Sequence, residues 1–458
     1  MTCPLSTARG QLAAIVVLGV ALPHRASAQS EPPSGEMSFA LTGDAIISQR
    51  LSPFDEPEYL SMIQVIRGTD MAFTNLEVLF HTFEEGYPAA HSGGTWMAAE
   101  PLLADELVWA GFDMVSTANN HTMDYSAGGL RATLRTLDLA GLVHAGAGEN
   151  LARARAPGYL ETAGGRVALI SVASTFSDED RAGPQRGDLR GRPGLSPLRY
   201  TAAYVVSDSS LERLRQVRAE LGYGSAAGAT ALRFFGTEFV AGDTPGRKYE
   251  LNEDDLTQVL SAVTEATRQA DWVVVASHSH ESGESREVPA DFLITFAHAV
   301  IDAGADIFVG HGPHVLRGVE IYNGRPIFYS LSNFIFQNET VRFLPGDFYD
   351  QLDLPQDASA ADGFDRRNET SRGGFPGQRT YWESVIAVPM FSNGDLAEIR
   401  LFPIDLGYGR PRPQRGRPRL ADPETGRRII EHLTGLSREF GTEIRYDPTA
   451  NIGLMVWR

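Results

Sequence analysis

Two histidines three residues apart, His311 and His314, flank Gly312-Pro313 just beyond a short apolar run, Ile307 to Val309. Proline restricts its own backbone and that of the residue before it, so this stretch is a tight loop and not a regular helical turn. Imidazoles held in this way can converge on one small object, and a metal ion suits them best. Four other apolar runs end in similar polar motifs: Asp44 after Gly43, Asn75 with Glu77, Asn120 with His121, and His278 with His280. Carboxylate, amide oxygen and imidazole together make a mixed oxygen and nitrogen ligand set. Without thiolate, that set suits Mn, Zn, Fe or Mg. A carboxylate can bridge two ions, and a paired site can activate water and clamp a transferring phosphoryl group. Each residue alone has a plainer use, Asp44 in a turn, Glu77 on the surface, His121 beside a helix cap. Their distribution argues against that, because five of the chain's 11 histidines fall in these motifs. His81, His91, His144, His298 and His432 lie outside them and read as ordinary histidines.

The elements that must position these residues alternate along the chain. Apolar runs at Met37 to Thr42, Met71 to Phe73, Met114 to Ala118, Arg166 to Val172, Trp272 to Ala276 and Ile307 to Val309 read as strands. Helical patterns at Ala99 to Ala110, Ala127 to Ala140, Asn252 to Gln269 and Asp291 to Ala303 lie between them. Such alternation predicts an α/β domain with a largely parallel core, whose ligands bind beyond the carboxyl ends of the strands. Between Phe176 and Leu251 the pattern weakens into a long surface excursion, with a helix over Leu211 to Leu221. Residues 339–380 form a polar insertion read as loop or lid. Residues 381–458 add a hairpin around Ser392-Asn393-Gly394-Asp395 and a final helix from Pro423 to Leu436, completing the same domain. Five arginines among prolines between Arg410 and Arg419 read as a solvated linker, with an anion-binding patch as the alternative.

Residues 1–28 read as a secretory signal peptide. Arg9 is the positive n-region, Leu12 to Leu22 the apolar stretch, and Ala26-Ser27-Ala28 the cleavage site. No later segment approaches the ~20 apolar residues of a membrane helix. The expected mature chain, residues 29–458, is therefore periplasmic or secreted, with no membrane span. Cys3 is the only cysteine and leaves with the leader, which excludes a disulfide or a cysteine-ligated metal. Loss of Arg9 and Arg25 takes the formal charge from −18 to −20. That balance argues against nucleic acid and acidic membrane surfaces as partners.

Four stretches in this order, LTGD at 41–44, TNLE at 74–77, ANNHTMD at 118–124 and GADIFVGHGPHVLRGVEIYNGRPIFYSLSNFIF at 304–336, resemble the CapA family. That is the poly-γ-glutamate capsule biosynthesis protein family, related to calcineurin-like metallophosphoesterases. The resemblance runs from about Met37 to Gln337 and continues more loosely through the hairpin. It implies a four-layer α/β/β/α sandwich of the metallophosphoesterase type over residues 29–338, with a divalent metal centre of one or two ions at the edge of two packed sheets. By motif, Asp44 is a metal carboxylate, Glu77 stands where the superfamily has a bridging Asp, and Asn120 matches an amide ligand. His278 or His280, then His311 and His314, complete the sphere. His121 matches a substrate-facing histidine that can protonate a leaving oxygen, and Asp124 would orient it. There are three departures. Asp44-Ala45-Ile46 lacks the histidine of Asp-x-His. His278-Ser279-His280-Glu281-Ser282 replaces His-Trp-Gly-x-Glu. Gly312 occupies the first histidine position of His-Pro-His, where His311 can compensate.

Two functions follow from the resemblance as expectations. One is an exported metal-dependent hydrolase acting on a phosphoester, or on a related ester or amide, of an envelope-associated small molecule or polymer. The other is a non-catalytic component of capsule polymer assembly or export, working with the capsule biosynthesis machinery.

Overall fold

The computed structural model describes residues 35–224, 228–370 and 374–457; the expected leader, residues 1–28, lies outside them. Strand Glu36–Ile46 is the organising element. Its side chains alternate as a pleated strand requires. Met37, Phe39 and Leu41 turn into a core shared with a second sheet, while Ala40 faces a separate core built with helices. On one edge the strand pairs in parallel with Met71–Leu76, followed by Met114–Ser116 and Val143–Ala145. On the other it pairs antiparallel with the hairpin Glu383–Ser392 and Asp395–Asp405. The short strand Asn333–Phe336 joins at its carboxyl end.

The second sheet runs in the order Leu316–Tyr322, Arg325–Leu331, Ile307–His311, Trp272–His278, Gly165–Ala173, Gly158–Thr162. Trp272, Val274 and Ala276 point into the inter-sheet core; Val273 and Val275 point the other way. The Trp272 ring meets Phe39 edge-on at 5.9 Å and Phe391 at 4.9 Å, closing the two sheets over one another. Fully burying such side chains contributes roughly 1.5–3 kcal/mol each. Helices Pro57–Arg67, Leu103–Ala110 and Ser126–Ala140 cover the outer face of the first sheet through Tyr59, Ile63, Ile66, Leu107 and Leu137. Glu253–Ala266 and Asp291–Asp302 cover the second through Val259, Val263, Phe296 and Val300. The architecture is therefore the four-layer α/β/β/α sandwich.

Several segments differ from the sequence-based expectation. The helix expected from Ala99 begins at Leu103, because Ala98–Ala99 pairs as a strand with Leu79–Phe80. The surface excursion contains a four-stranded sheet of Tyr200–Val206, Ala231–Phe234, Thr237–Ala241 and Gly246–Leu251. The insertion expected as loop carries helices Gly346–Asp350 and Ala360–Thr370, and it is packed down: Phe348, Tyr349 and Phe364 are buried with Leu79, Trp96 and Tyr125. The arginine-rich stretch is not a free linker. Arg412 pairs with Asp365, Arg415 with Glu339 and Arg417 with Glu56, so it ties the insertion to the body of the fold. The tail after the last helix forms a hairpin, Glu443–Asp447 with Ile452–Val456, which extends the first sheet. Among the described residues no helix is long and apolar enough to cross a membrane.

Candidate metal centre

Strand register brings the polar motifs together. Asp44 is directly across from Asn75 on one side and Asn333 on the other, and His278 is directly across from His311 in the second sheet. The close approach of the Asp44 strand to Ser332 requires glycine at position 43. A Cβ there would lie 1.9 Å from the Ser332 carbonyl oxygen, and the Asp44 N–H donates to that carbonyl at 2.9 Å. His314 adopts a left-handed backbone conformation, φ +60°. That conformation is costly for a residue with a side chain and recurs at functional sites.

Six side chains form two adjacent groups able to hold a cation, Asp44 with His278 and His311, and Glu77 with His280 and His314; within each group the ligand atoms lie within 4.8 Å of one another. The groups interleave. His278 Nδ1 is 3.8 Å from Asp44 Oδ1 and its Nε2 is 3.7 Å from Glu77 Oε1. His314 Nδ1 is 3.3 Å from Asp44 Oδ2 and its Nε2 is 3.8 Å from Glu77 Oε1. Asp44 and Glu77 are both fully buried. Asp44 accepts from Asn75 Nδ2 at 2.8 Å and from the Gly312 N–H at 3.2 Å. Among the described residues Glu77 accepts from nothing: both its oxygens are buried without a hydrogen-bond partner, as are His311 Nε2 and Asn120 Oδ1.

The electrostatics follow from this burial. Desolvation pushes the Glu77 carboxyl well above the ordinary range, and Asp44 and Asp124 push it further. Burial also works to raise Asp44, but hydrogen bonding and charge from His314, then His311 and Asn75, outweigh it and leave its pKa lowered. Burial holds His278 and His280 well below the usual imidazole value, helped by neighbouring imidazoles, and takes His311 to about 4. Neutral imidazoles are the form that ligates a metal. A buried carboxylate with two unpaired oxygens is costly unless a cation compensates it. The donor set therefore fits a divalent ion, with oxygen and imidazole ligands and no thiolate.

His121 stands beside this centre. Its Nδ1–H donates to Asp124 Oδ2 at 2.7 Å, and its Nε2 is 3.9 Å from Glu77 Oε1. Asp124 also accepts the backbone N–H groups of Gly93 and Met97, at 2.9 and 2.7 Å. Asn120 sends its Nδ2 to the Gly93 carbonyl at 2.7 Å, which leaves Oδ1 as its free donor atom.

Of the residues named from sequence, Asp44, Glu77, His278, His280, His311 and His314 form the two groups, with His278 and His280 in different ones. His121 approaches Glu77 and is held by Asp124, and Asn120 precedes His121 and bonds the Gly93 carbonyl. Glu281 turns away and accepts from Ser174, Thr175 and Tyr200. Supporting residues were not singled out from sequence. Asn119 ties Asn75 and Leu76 to the His121 backbone. Asn333 accepts from His314 Nδ1 at 2.9 Å. Buried Arg317 donates to the carbonyls of Ser279, Glu281 and Arg286, holding the loop that carries His280. All three sit inside the quoted motifs, but the partners of Arg317 are carbonyls far away in the sequence.

The fold and site define a layered α/β protein with a buried carboxylate and histidine centre at the ends of its strands. The family model described as bacterial capsule synthesis protein PGA_cap matches residues 15–338, and the chain belongs to that family. It is 39% identical over 420 residues to the uncharacterized protein y4sH of Sinorhizobium fredii, covering 89% of this chain and 90% of that protein. It is 30% identical over 234 residues to the capsule biosynthesis protein CapA of Bacillus anthracis, covering 51% of this chain and 42% of that protein. A solved 5'-nucleotidase precursor from Thermus thermophilus aligns over 85% of this chain and 55% of its own, with 11% identity and a TM-score of 0.33.

Proposed function

We propose that this chain is an exported metal-dependent hydrolase acting on a phosphoester, or a related ester or amide, in capsule or cell-envelope polymer metabolism. The observation that carries the reading is Glu77, a fully buried carboxylate with no hydrogen-bond partner among the described residues, which belongs to one of two adjacent carboxylate–histidine groups and lies beside the His121–Asp124 pair. Asp44, His278, His311, Glu77, His280 and His314 would hold one or two ions of Mn, Zn, Fe or Mg type, with Asn120 Oδ1 as a further donor. A divalent ion held there would supply Lewis-acid chemistry for the attack of water on an ester. His121 provides the proton. Asp124 fixes its Nδ1–H, so Nε2 faces the centre and, when protonated, can donate to a leaving oxygen. Export is supported by Arg9, the apolar run and Ala26-Ser27-Ala28.

The names of the capsule-biosynthesis relatives favour a second reading, a non-catalytic part in capsule polymer assembly with the same ions held structurally. Elemental analysis of the purified protein, paired with hydrolysis of p-nitrophenyl phosphate and its bis ester, separates the two. Metal with turnover supports the hydrolase; metal without turnover on any ester supports assembly.

A further inference from the structure

Beside the centre is a cavity of about 280 Å³ lined by His280 and Glu281 from one loop and by Tyr200, Tyr204, Arg247 and Tyr249 from the four-stranded sheet. Strand pairing makes this face, since Tyr204 lies directly across from Arg247 and Ala202 from Tyr249. Residues two apart on each strand therefore share it. Part of the lining is fixed. Glu281 Oε1 accepts from Tyr200 and Thr175, both at 2.9 Å, and Oε2 accepts from Ser174 at 2.5 Å. Tyr200 in turn stacks on Phe292 at 5.0 Å. Glu281 is thus satisfied by hydroxyls and is not an ion-pair partner for Arg247.

Arg247 is exposed, and its guanidinium sits 5.1 Å over the Tyr204 ring. Among the described residues no carboxylate pairs with it, and the buried Tyr249 hydroxyl has no hydrogen-bond partner. The contrast with the arginine-rich stretch is chemical: Arg412, Arg415, Arg417 and Arg419 are each paired with an acid. A planar guanidinium held by aromatic rings presents a fork matched to carboxylate or phosphate. On a chain of formal charge −18, such a cation beside the centre helps decide how an anionic substrate enters. The cavity lies below the ~300–1,000 Å³ of ordinary ligand pockets, so it suits one substituent and not a polymer segment.

We infer that Arg247, with the Tyr249 hydroxyl, binds an oxyanionic substituent, carboxylate or phosphate, that the substrate carries next to the group lying at the metal centre. The inference rests on the hydrolase reading for the position of the reacting group and extends it to the substrate's second charge.

The test is calorimetric titration of the full chain in Mn²⁺ with three phosphonates. Methylphosphonate carries no second anion, 3-phosphonopropanoate adds a carboxylate, and propane-1,3-bisphosphonate adds a second phosphonate. At least one bifunctional ligand should bind about tenfold tighter than methylphosphonate or better, and the tighter arm identifies the oxyanion. Arg247→Ala should erase that advantage and leave methylphosphonate binding unchanged, Arg247→Lys should keep part of it, and Tyr249→Phe should reduce it. Equal binding of all three ligands by the unsubstituted chain, or a preference that survives Arg247→Ala, overturns the subsite. The titrations read binding and not turnover. An inactive protein with an Arg247-dependent preference therefore keeps the subsite and loses the hydrolase reading.

Discussion

His121 Nδ1 and the Met97 backbone N–H share one oxygen, Oδ2 of Asp124, each at 2.7 Å. The carboxylate that orients His121 therefore also pins the loop through Gly93 and Met97 against it. The two roles can be separated by substitution. His121→Ala should leave the fold and metal content intact while lowering turnover by ~10²–10⁴. Asp124→Ala should lower turnover and also stability, by roughly 1–3 kcal/mol for the stranded N–H groups. Initial rates with the bis-p-nitrophenyl ester, metal analysis and urea melts check both. A His121→Ala protein that loses its metal would show that His121 is a ligand.

The loop at Gly312 gives a second prediction. Its φ is +115°, and a Cβ there would lie 2.9 Å from the Ser279 backbone nitrogen and 3.0 Å from the His280 ring. Histidine at this position, as in the His-Pro-His form of the loop, meets the same obstacle, which explains why glycine fits here. Gly312→Ala should cost about 1–3 kcal/mol through backbone strain alone. It should also weaken metal binding, because the Gly312 N–H holds Asp44 Oδ2. Thermal melts and metal titration of the variant test this, and an unchanged metal affinity would show that the loop is not tuned for the centre.

Acid should destabilise the chelator-treated protein. Burial keeps His278, His280 and His311 neutral in the fold, with His311 at about 4, whereas unfolded histidines take protons near ~6.5. Below that pH the unfolded state binds more protons, so their contribution is fully present above ~6.5 and is lost as pH falls toward the folded-state values. Glu77 acts with the opposite sign. Its raised folded-state pKa means that its contribution declines as pH rises above the ordinary carboxylate range. Urea midpoints between pH ~7.5 and ~5 should therefore fall on acidification, with a shallower slope in His311→Gln.

The layers and most of the centre were legible in the sequence for one physical reason. A buried parallel strand is apolar and gives way to polar residues near its carboxyl end, so Asp44 near the end of its strand, Glu77 just after Leu76, His278 and His311 as last strand residues, and His121 in the loop after Ser116 stand out against the apolar runs. The four-stranded sheet was not legible. Gly246–Leu251 buries none of its side chains fully, and Tyr200–Val206 keeps Thr201, Ala202 and Tyr204 exposed, so neither shows the contrast that reveals a strand. Arg317 was invisible because its partners are the carbonyls of residues 31 to 38 positions away, a tertiary relationship with no local signature.

The measurement that bears most directly on the central claim is equilibrium metal binding at neutral pH. The purified chain, stripped with chelator and titrated with Mn²⁺ or Zn²⁺, should take up one to two equivalents. Asp44→Ala and Glu77→Ala should each lower that stoichiometry or affinity while His121→Ala leaves it unchanged. An unsubstituted protein that carries no metal as purified and takes up none on titration would contradict the account.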